Sequence, residues 1–350
     1  MSSESSNPDP EPRDAAVLVE APARLHLGVL DLRGRLGRWF GGLGAAASAP
    51  TLLVSARPSA SLIVEGEDQA RAEGFASSFL HHYGITAGAH VIVHRALPPH
   101  AGLGSGTQLA LAVARALADV HGVSADAPAL ARATGRARRS AVGTWTFAGG
   151  GLVVEGGRQQ DSDECGPLLV RMAFPRTWRC VVAVPDAGPA ISGFEEAEAF
   201  ARLPLPPERD VEHVAHLVLM ALLPSIATND LPTFGRALTD IQTITGRWFA
   251  PVQGGTFAPG PSETLVRRMA EAGAVGVGQS SWGPAVYGVV EGADSGARLA
   301  DCARTWLEGR GQVYEGPFRE EGARVWRNSR ESRVESPGSI IGSHESPCPP

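Results

Sequence analysis

The stretch 97–117, LPPHAGLGSGTQLALAVARAL, decides how the rest of the chain is read. The apolar, β-branched segment 89–97 before it reads as a strand, and Pro98 and Pro99 end that strand because proline cannot donate to a sheet ladder. Gly102, Gly104 and Gly106 allow positive φ and close backbone approach, and Ser105 and Thr107 offer hydroxyls. The run 107–122 has helical spacing and closes at Gly122. A helix that starts on such a loop aims its unpaired N–H groups and the positive end of its dipole at whatever the loop holds. This is the pattern of a phosphate or diphosphate cradle, and equally of a tight strand-to-helix turn with an N-cap. No lysine follows the glycines, so the loop is not the GxxxxGK[ST] nucleotide loop. Its glycines also lack the spacing of a dinucleotide fingerprint.

The chain has 350 residues, enough for two ordinary domains, with 43% hydrophobic and 19% charged residues. A net charge of -6 with no basic stripe argues against a nucleic-acid partner. The short basic cluster GRARRS, 135–140, reads as a solvated helix end. Cys165, Cys180, Cys302 and Cys348 lie far apart and form no CxxC pair, so neither a zinc knuckle nor a disulfide scaffold is suggested, and reduced thiols in a cytoplasm fit best. The polar start lacks the apolar core of a signal peptide, and the longest apolar runs read as too short to span a membrane.

Residues 1–15 and 326–350 are rich in Ser, Pro and Glu and are expected to be disordered tails. Between them strands and helices mix without strict βαβ alternation, and the buried-type strand 178–186 opens a second domain. The expected division is 16–177 and 178–325. In the first strand Leu25, Leu27 and Val29 lie on one face and Arg24, His26 and Gly28 on the other.

The Pro-x-x-x-Gly-Leu-Gly-Ser loop before a small-residue helix resembles the phosphate loop of the GHMP kinase superfamily. Residues 21–32, APARLHLGVLDL, stand where that superfamily has a strand reaching the active site. Residues 276–288, GVGQSSWGPAVYG, resemble its second Gly/Ser loop, which leans on the first. The resemblance implies an α+β, two-domain GHMP kinase-like fold: a ribosomal protein S5 domain 2-like N-terminal domain and a ferredoxin-like C-terminal domain. Many of those kinases carry an acidic base in a second motif. The matching region here has no Asp, Glu, Lys or His between Ser140 and Gly151, which disfavours a kinase that uses that base.

The finer pattern resembles the β-ribofuranosylaminobenzene 5'-phosphate synthase family over about residues 16–320. It is carried by 23–32, 37–50, GLGSGTQLALAVA, VGTWTFAGGGLVVEGG, 181–200 and 234–255. That family joins 5-phosphoribosyl diphosphate to 4-aminobenzoate, or 4-hydroxybenzoate in some relatives. A C–C bond forms, CO2 and diphosphate leave, and the product enters tetrahydromethanopterin synthesis. The resemblance implies Mg2+ beside the diphosphate, no organic cofactor, small-molecule partners and a cytoplasmic location, with a homodimer left open. An ATP-dependent small-molecule kinase of this fold and a non-catalytic regulator binding a phosphorylated metabolite are the rival readings.

The expected site then takes Arg24 and His26 as catalytic. Gly102, Leu103, Gly104, Ser105, Gly106, Thr107 and Gln108 are expected to hold the diphosphate. Gly278, Gln279, Ser280, Ser281 and Gly283 form the second loop. Asp31, Ser192, Glu196 and Gln253 are further substrate candidates, although Asp31 could cap a turn, Ser192 could N-cap a helix with Glu195 as its capping-box partner, and Gln253 could brace a loop. Trp145 and Phe147 could stack on an aromatic ring or fill the core. His213 and His216 share a helix face but have no third ligand, so packing is the reading there; no metal ligands are assigned.

Overall fold

The structure, a computed structural model, describes residues 15–186 and 193–328. The apolar, β-branched start of the chain forms two long antiparallel strands, β1 (Ala16–Asp31) and β2 (Arg38–Ser59), followed by β3 (Ile63–Gly66), α1 (Gln69–His82) and β4 (Gly88–Arg95). The quoted stretch then delivers α2 (Ser105–His121), in which alternate alanines give high helix propensity and a slim buried profile. Gly122 ends it in the left-handed conformation at φ 70.

Two short helices follow, α3 (Ala127–Ala133), capped by the Asp126 side chain accepting from Ala129 N–H, and α4 (Val142–Gly149). Next come β5 (Leu152–Glu155), β6 (Arg158–Gln159) and β7 (Leu168–Met172). These strands complete one sheet, ordered β1–β2–β4–β3, with β5 and β6 on β2 and β7 on β5. Helix α2 lies against β1 and β2 and buries Leu25 and Leu27.

The second sheet begins with β8 (Trp178–Pro185). After it come α5 (Gly193–Arg202), α6 (Glu208–Leu217), a π-helical turn (Val218–Leu222), α7 (Leu223–Ala227), α8 (Leu231–Gln253) and α9 (Pro261–Glu271). Strands β9 (Gly276–Gln279) and β10 (Val286–Glu291), helix α10 (Ala293–Leu307) and strand β11 (Gly311–Pro317) complete it. The order β11–β8–β10–β9, all antiparallel, places the four strands as 4-1-3-2, the ferredoxin-like arrangement expected from the sequence. One continuous apolar cluster joins both sheets, from Leu25 and Leu109 to Trp178, Phe234 and Tyr287.

Three readings need correction. The chain does not end its order at 325: β12 (Arg324–Asn328) returns to the first sheet and pairs with β1, Ala16 opposite Asn328. The free backbone edge of β1 explains this, since an unpaired strand edge is completed by any strand that reaches it. The segment Glu208–Ala227 is a continuous helical stretch with mean hydropathy 1.3, long and apolar enough by composition to cross a membrane. Val214, Val218, Leu222 and Ile226 are buried, and the stretch packs on α8. Cys165 and Cys180 are free thiols, whereas Cys302 is disulfide-bonded, so the expectation of four reduced thiols does not hold there.

Candidate active site

Strand β1 is built to carry a site. Its pairing with β2 slips between Pro22 and Arg24 and again between His26 and Gly28, so Arg24–His26 lie between two bulges that re-aim side chains. The neighbouring loop meets this segment through backbone: Arg24 N–H donates to the Leu103 carbonyl at 3.0 Å, and Arg24 Nη1 donates to the Gly102 carbonyl at 3.2 Å. Arg24 and His26 thus stand together at the mouth of the quoted loop, at the wall of a pocket of about 200 Å3.

One wall of the pocket is basic. The 135–140 segment, read from sequence as a solvated helix end, lines it instead, with Arg136, Arg138, Arg139 and Ser140. Arg136 donates to Thr107 Oγ1 at 3.1 Å, and Arg139 pairs with Glu196. Burial lowers the Arg24 pKa to about 10, against the attraction of Glu196 and with the repulsion of Arg136. Burial, Arg139 and Arg71 lower that of Arg136 too, again against Glu196. A buried guanidinium beside another cation is an electrostatic demand for an anion. Arg24 Nε is buried and has no partner.

The facing wall is aromatic. Phe200 and Trp282 meet edge to face at 5.6 Å, Phe249 and Trp282 at 4.7 Å, and Phe40 and Phe200 at 5.5 Å. The Arg139 guanidinium lies 5.7 Å from the Phe200 ring centre and so joins the two walls. Trp145 and Phe147 are not part of this wall. Trp145 Nε1 donates to the Gly166 carbonyl at 2.8 Å, and Phe147 is in the core.

The expected loop residues separate by role. Of 102–108 only Thr107 lines the pocket. Leu103 and Ser105 are buried, and Gln108 Nε2 donates to the Gly143 carbonyl at 3.0 Å. Gly104 has φ 74, and a Cβ there would sit 3.3 Å from Arg24 Cβ and Nε; at Gly106 it would sit 3.4 Å from Arg136 Nη2. The loop therefore presents backbone to the arginines.

In the second loop Gln279 and Ser281 line the pocket. Ser280 is fully buried: its hydroxyl accepts from His26 N–H at 2.9 Å and donates to the Gly102 carbonyl at 2.7 Å. Gly278 packs beside Gln242 and Tyr287, and Gly283 beside Gln279. Gln253 lines the pocket but spends its amide on the Gly255 and Thr256 carbonyls. Glu196 lines it as well. Asp31 does not; it accepts from Arg33 and Gly34 N–H and caps the turn. Ser192 lies outside the described residues.

Sequence reasoning missed Arg136, Arg139, the four aromatic rings and Glu155. Glu155 lies just beyond the base-free stretch, is fully buried, and accepts N–H bonds from Gly157 at 2.8 Å and Ala141 at 3.3 Å. Burial raises its pKa to about 7, against its hydrogen bonds. His26 is the converse: burial, with Arg24 beside it, lowers its pKa to about 3, so the ring is neutral.

The donors present do not fit a protein-held Mg2+. Among the described residues no three His, Cys, Asp or Glu side chains converge. Glu196, the carboxylate lining the pocket, is taken by Arg139. A hard dication needs several free oxygens, which this wall lacks.

Comparison with known proteins agrees with this fold. Residues 70–150 match the GHMP kinases N terminal domain and 222–309 the GHMP kinases C terminal domain. A homoserine kinase from Cytophaga hutchinsonii superposes with a TM-score of 0.66 at 18% identity, over 93% of this chain and 100% of the kinase, which speaks for the fold alone. The beta-ribofuranosylphenol 5'-phosphate synthase of Archaeoglobus fulgidus is 32% identical, over 78% of this chain and 87% of its own. That of Methanothermobacter thermautotrophicus is 34% identical over 296 residues, 79% of this chain and 89% of its own. With 34% identity over 79% of its length, the chain belongs to the beta-ribofuranosylphenol 5'-phosphate synthase family, on the GHMP kinase fold.

Proposed function

We propose that this protein transfers the phosphoribosyl group of 5-phospho-α-D-ribose 1-diphosphate to a para-substituted benzoate. The products are a C-riboside 5'-phosphate, CO2 and diphosphate, in an early step of tetrahydromethanopterin synthesis in the cytoplasm. The acceptor is 4-hydroxybenzoate, in keeping with the phenol of the relatives' names, or 4-aminobenzoate. The observation that carries the reading is Arg24, set in the pocket wall at the mouth of the quoted loop, with a buried Nε that has no partner.

The chemistry follows from the two walls. Diphosphate departure builds negative charge on its oxygens, and fixed cations in a dry site stabilise that charge without reorganising. Arg24 and Arg136 are such cations, and α2 points its N-terminus the same way. The sugar carbon left behind is electron-poor, and an electron-rich ring held against Phe40, Phe200, Phe249 and Trp282 is its nucleophile. Attack at the ring carbon bearing the carboxylate, then loss of CO2, restores aromaticity. Mg2+ belongs to this proposal as the counter-ion carried by the diphosphate itself. A kinase that uses the second-motif base is disfavoured because no Asp, Glu, Lys or His lies between Ser140 and Gly151.

The test is incubation with phosphoribosyl diphosphate and each carboxyl-labelled benzoate, without ATP. Labelled CO2 and diphosphate released in equal amounts are expected. A strict requirement for ATP, with ADP formed in step, would replace this reading with the kinase.

A further inference from the structure

The pocket leads to a buried carboxylate through two hydroxyl- and nitrogen-bearing side chains. His26 Nε2 lies 3.3 Å from Ser140 Oγ, and both residues line the pocket. The Ser140 hydroxyl favours the charged form of Glu155, which is sealed from solvent and accepts at 3.3 Å from the N–H of Ala141, the next residue in the chain. A Cβ at Gly42 would touch His26 Nε2 at 3.3 Å and Glu155 Oε1 at 3.4 Å, so glycine there leaves the two groups facing each other across one gap. Val142 N–H also donates to Ser140 Oγ at 3.3 Å and fixes the hydroxyl between its two partners.

We propose that His26, Ser140 and Glu155 form a proton relay that holds the acceptor's para-hydroxyl proton while the C–C bond is made and returns it as CO2 leaves. The inference rests on the transferase reading above. With Glu155 ionised, His26 Nε2–H donates to Ser140 and Ser140 O–H donates to Glu155, which leaves Nδ1 as the ring nitrogen free to accept. As the sugar carbon bonds to the ring, diphosphate leaves with the C–O electron pair. A lone pair of the para-oxygen then forms C=O, and its proton passes to Nδ1. The Nε2 proton moves to Ser140 and the serine proton to Glu155. The ring is now a neutral dienone that still carries the carboxylate. When the C–CO2 bond breaks, its electron pair restores the ring and the oxygen takes its proton back along the same chain. No proton is gained or lost overall, and no oxidant is needed.

The surroundings suit a group that both takes and gives a proton near neutrality. Burial sets Glu155 near 7 and keeps His26 neutral, so the ring shuttles between tautomers rather than charging. The other groups facing the chain are Arg24, which disfavours an imidazolium, and Cys165, whose thiol burial and Glu155 push up to about 12 and thus keep protonated. A para-amino acceptor makes less use of the relay, because nitrogen donates its lone pair to the ring without having to lose a proton.

The test uses Glu155→Gln and Ser140→Ala; the second breaks the chain but spares the carboxylate's bonds to Ala141 and Gly157. With 4-hydroxybenzoate, kcat should fall at least about 10-fold in both and the acid limb near pH 7 should vanish, whereas the 4-aminobenzoate rate should change less than about 3-fold. In the wild-type protein without substrate, the His26 ring 15N shifts should invert tautomer with a midpoint near that of Glu155, and Glu155→Gln should abolish the step. Wild-type hydroxybenzoate kinetics in both variants, or a His26 tautomer indifferent to pH, would overturn the relay. If wild-type protein releases no diphosphate with either benzoate while the tautomer step is present, the transferase reading fails and the proton chain stands.

Discussion

The two Gly/Ser loops look alike in sequence and do opposite jobs. The first, 102–108, opens α2 and offers backbone to Arg24 and Arg136 without a side-chain cap of its own. The second, 278–283, is a brace. Ser280 ties the Gly102 carbonyl to His26 N–H, Ala285 N–H donates to the Ala101 carbonyl, and Gln279 is bonded to Gln253, Gln242, Ala258 and Ser281. A loop with its polar groups already satisfied is support, whereas one whose arginine neighbour keeps an unpaired buried nitrogen is waiting for a ligand. Composition cannot separate the two; hydrogen-bond bookkeeping does.

Glycines inside one loop test this contrast most sharply. A Cβ at Gly102, at φ 80, would stand 2.1 Å from the Ser280 carbonyl oxygen, so the two loops would have to part. Gly102→Val should cost at least about 4 kcal/mol and appear as a large fall in melting temperature. Two residues on, Gly104→Val meets the Arg24 side chain rather than backbone. It should abolish phosphoribosyl diphosphate binding in calorimetry, with a smaller fall in melting temperature that comes from valine's strain at φ 74 and not from a backbone clash. Equal thermal damage from both would erase the distinction between brace and cradle.

His26 joins the loops, its backbone on the brace and its ring on the pocket, and its protonation probes that junction. The folded ring resists a proton down to about 3, while the unfolded one accepts it near 6.5. The unfolded state therefore binds more protons in this window, and stability is lost as pH falls from 6.5 towards 3, by on the order of 4 kcal/mol. His26→Asn should flatten that acid slope in denaturant melts at a series of pH values. An unchanged slope would show that the ring is more open to water than its burial implies.

On the cradle side, Arg24→Ala should cost about 3 kcal/mol in kcat/KM and Arg24→Lys about 1.5 kcal/mol, since lysine keeps the charge but not the fork of donors. Melting temperature should move little in Arg24→Lys. Kinetics with each substrate varied in turn will tell which anion Arg24 grips; wild-type kinetics in Arg24→Ala would remove it from the site. The smallest effect belongs to the brace. Ser280→Ala leaves the Gly102 carbonyl and His26 N–H without their partner and should cost about 1–2 kcal/mol of stability by chemical denaturation. Catalysis should follow only as far as folding does.

Much of the frame was open to a reader of the sequence. Alternation in 24–27 set Arg24 and His26 apart from Leu25 and Leu27, but it fails past the bulge between His26 and Gly28, where Val29, expected on the opposite face, lines the pocket with Arg24, His26 and Gly28. Loop 98–108 announced itself through proline and glycine, whose backbone limits are local. The long helix α2 showed as helical spacing closed by Gly122. Helices α3 and α4 did not. They have 7 and 8 residues, and VGTWTFAG has poor helix propensity, so packing rather than periodicity makes it helical.

What only the tertiary structure decided is the character of the pocket. GRARRS reads as a surface run until α2 and β1 close over Arg136 and take away its water. Phe40, Phe200, Phe249 and Trp282 come from four separate stretches, and each alone reads as core. Glu155 reads as the end of a strand until burial and Ser140 set its proton affinity. Local conformation is a property of a residue and its neighbours in the chain, so the sequence determined it. Desolvation and long-range pairing belong to groups the chain brings together from far apart, and only the folded molecule decides which those are.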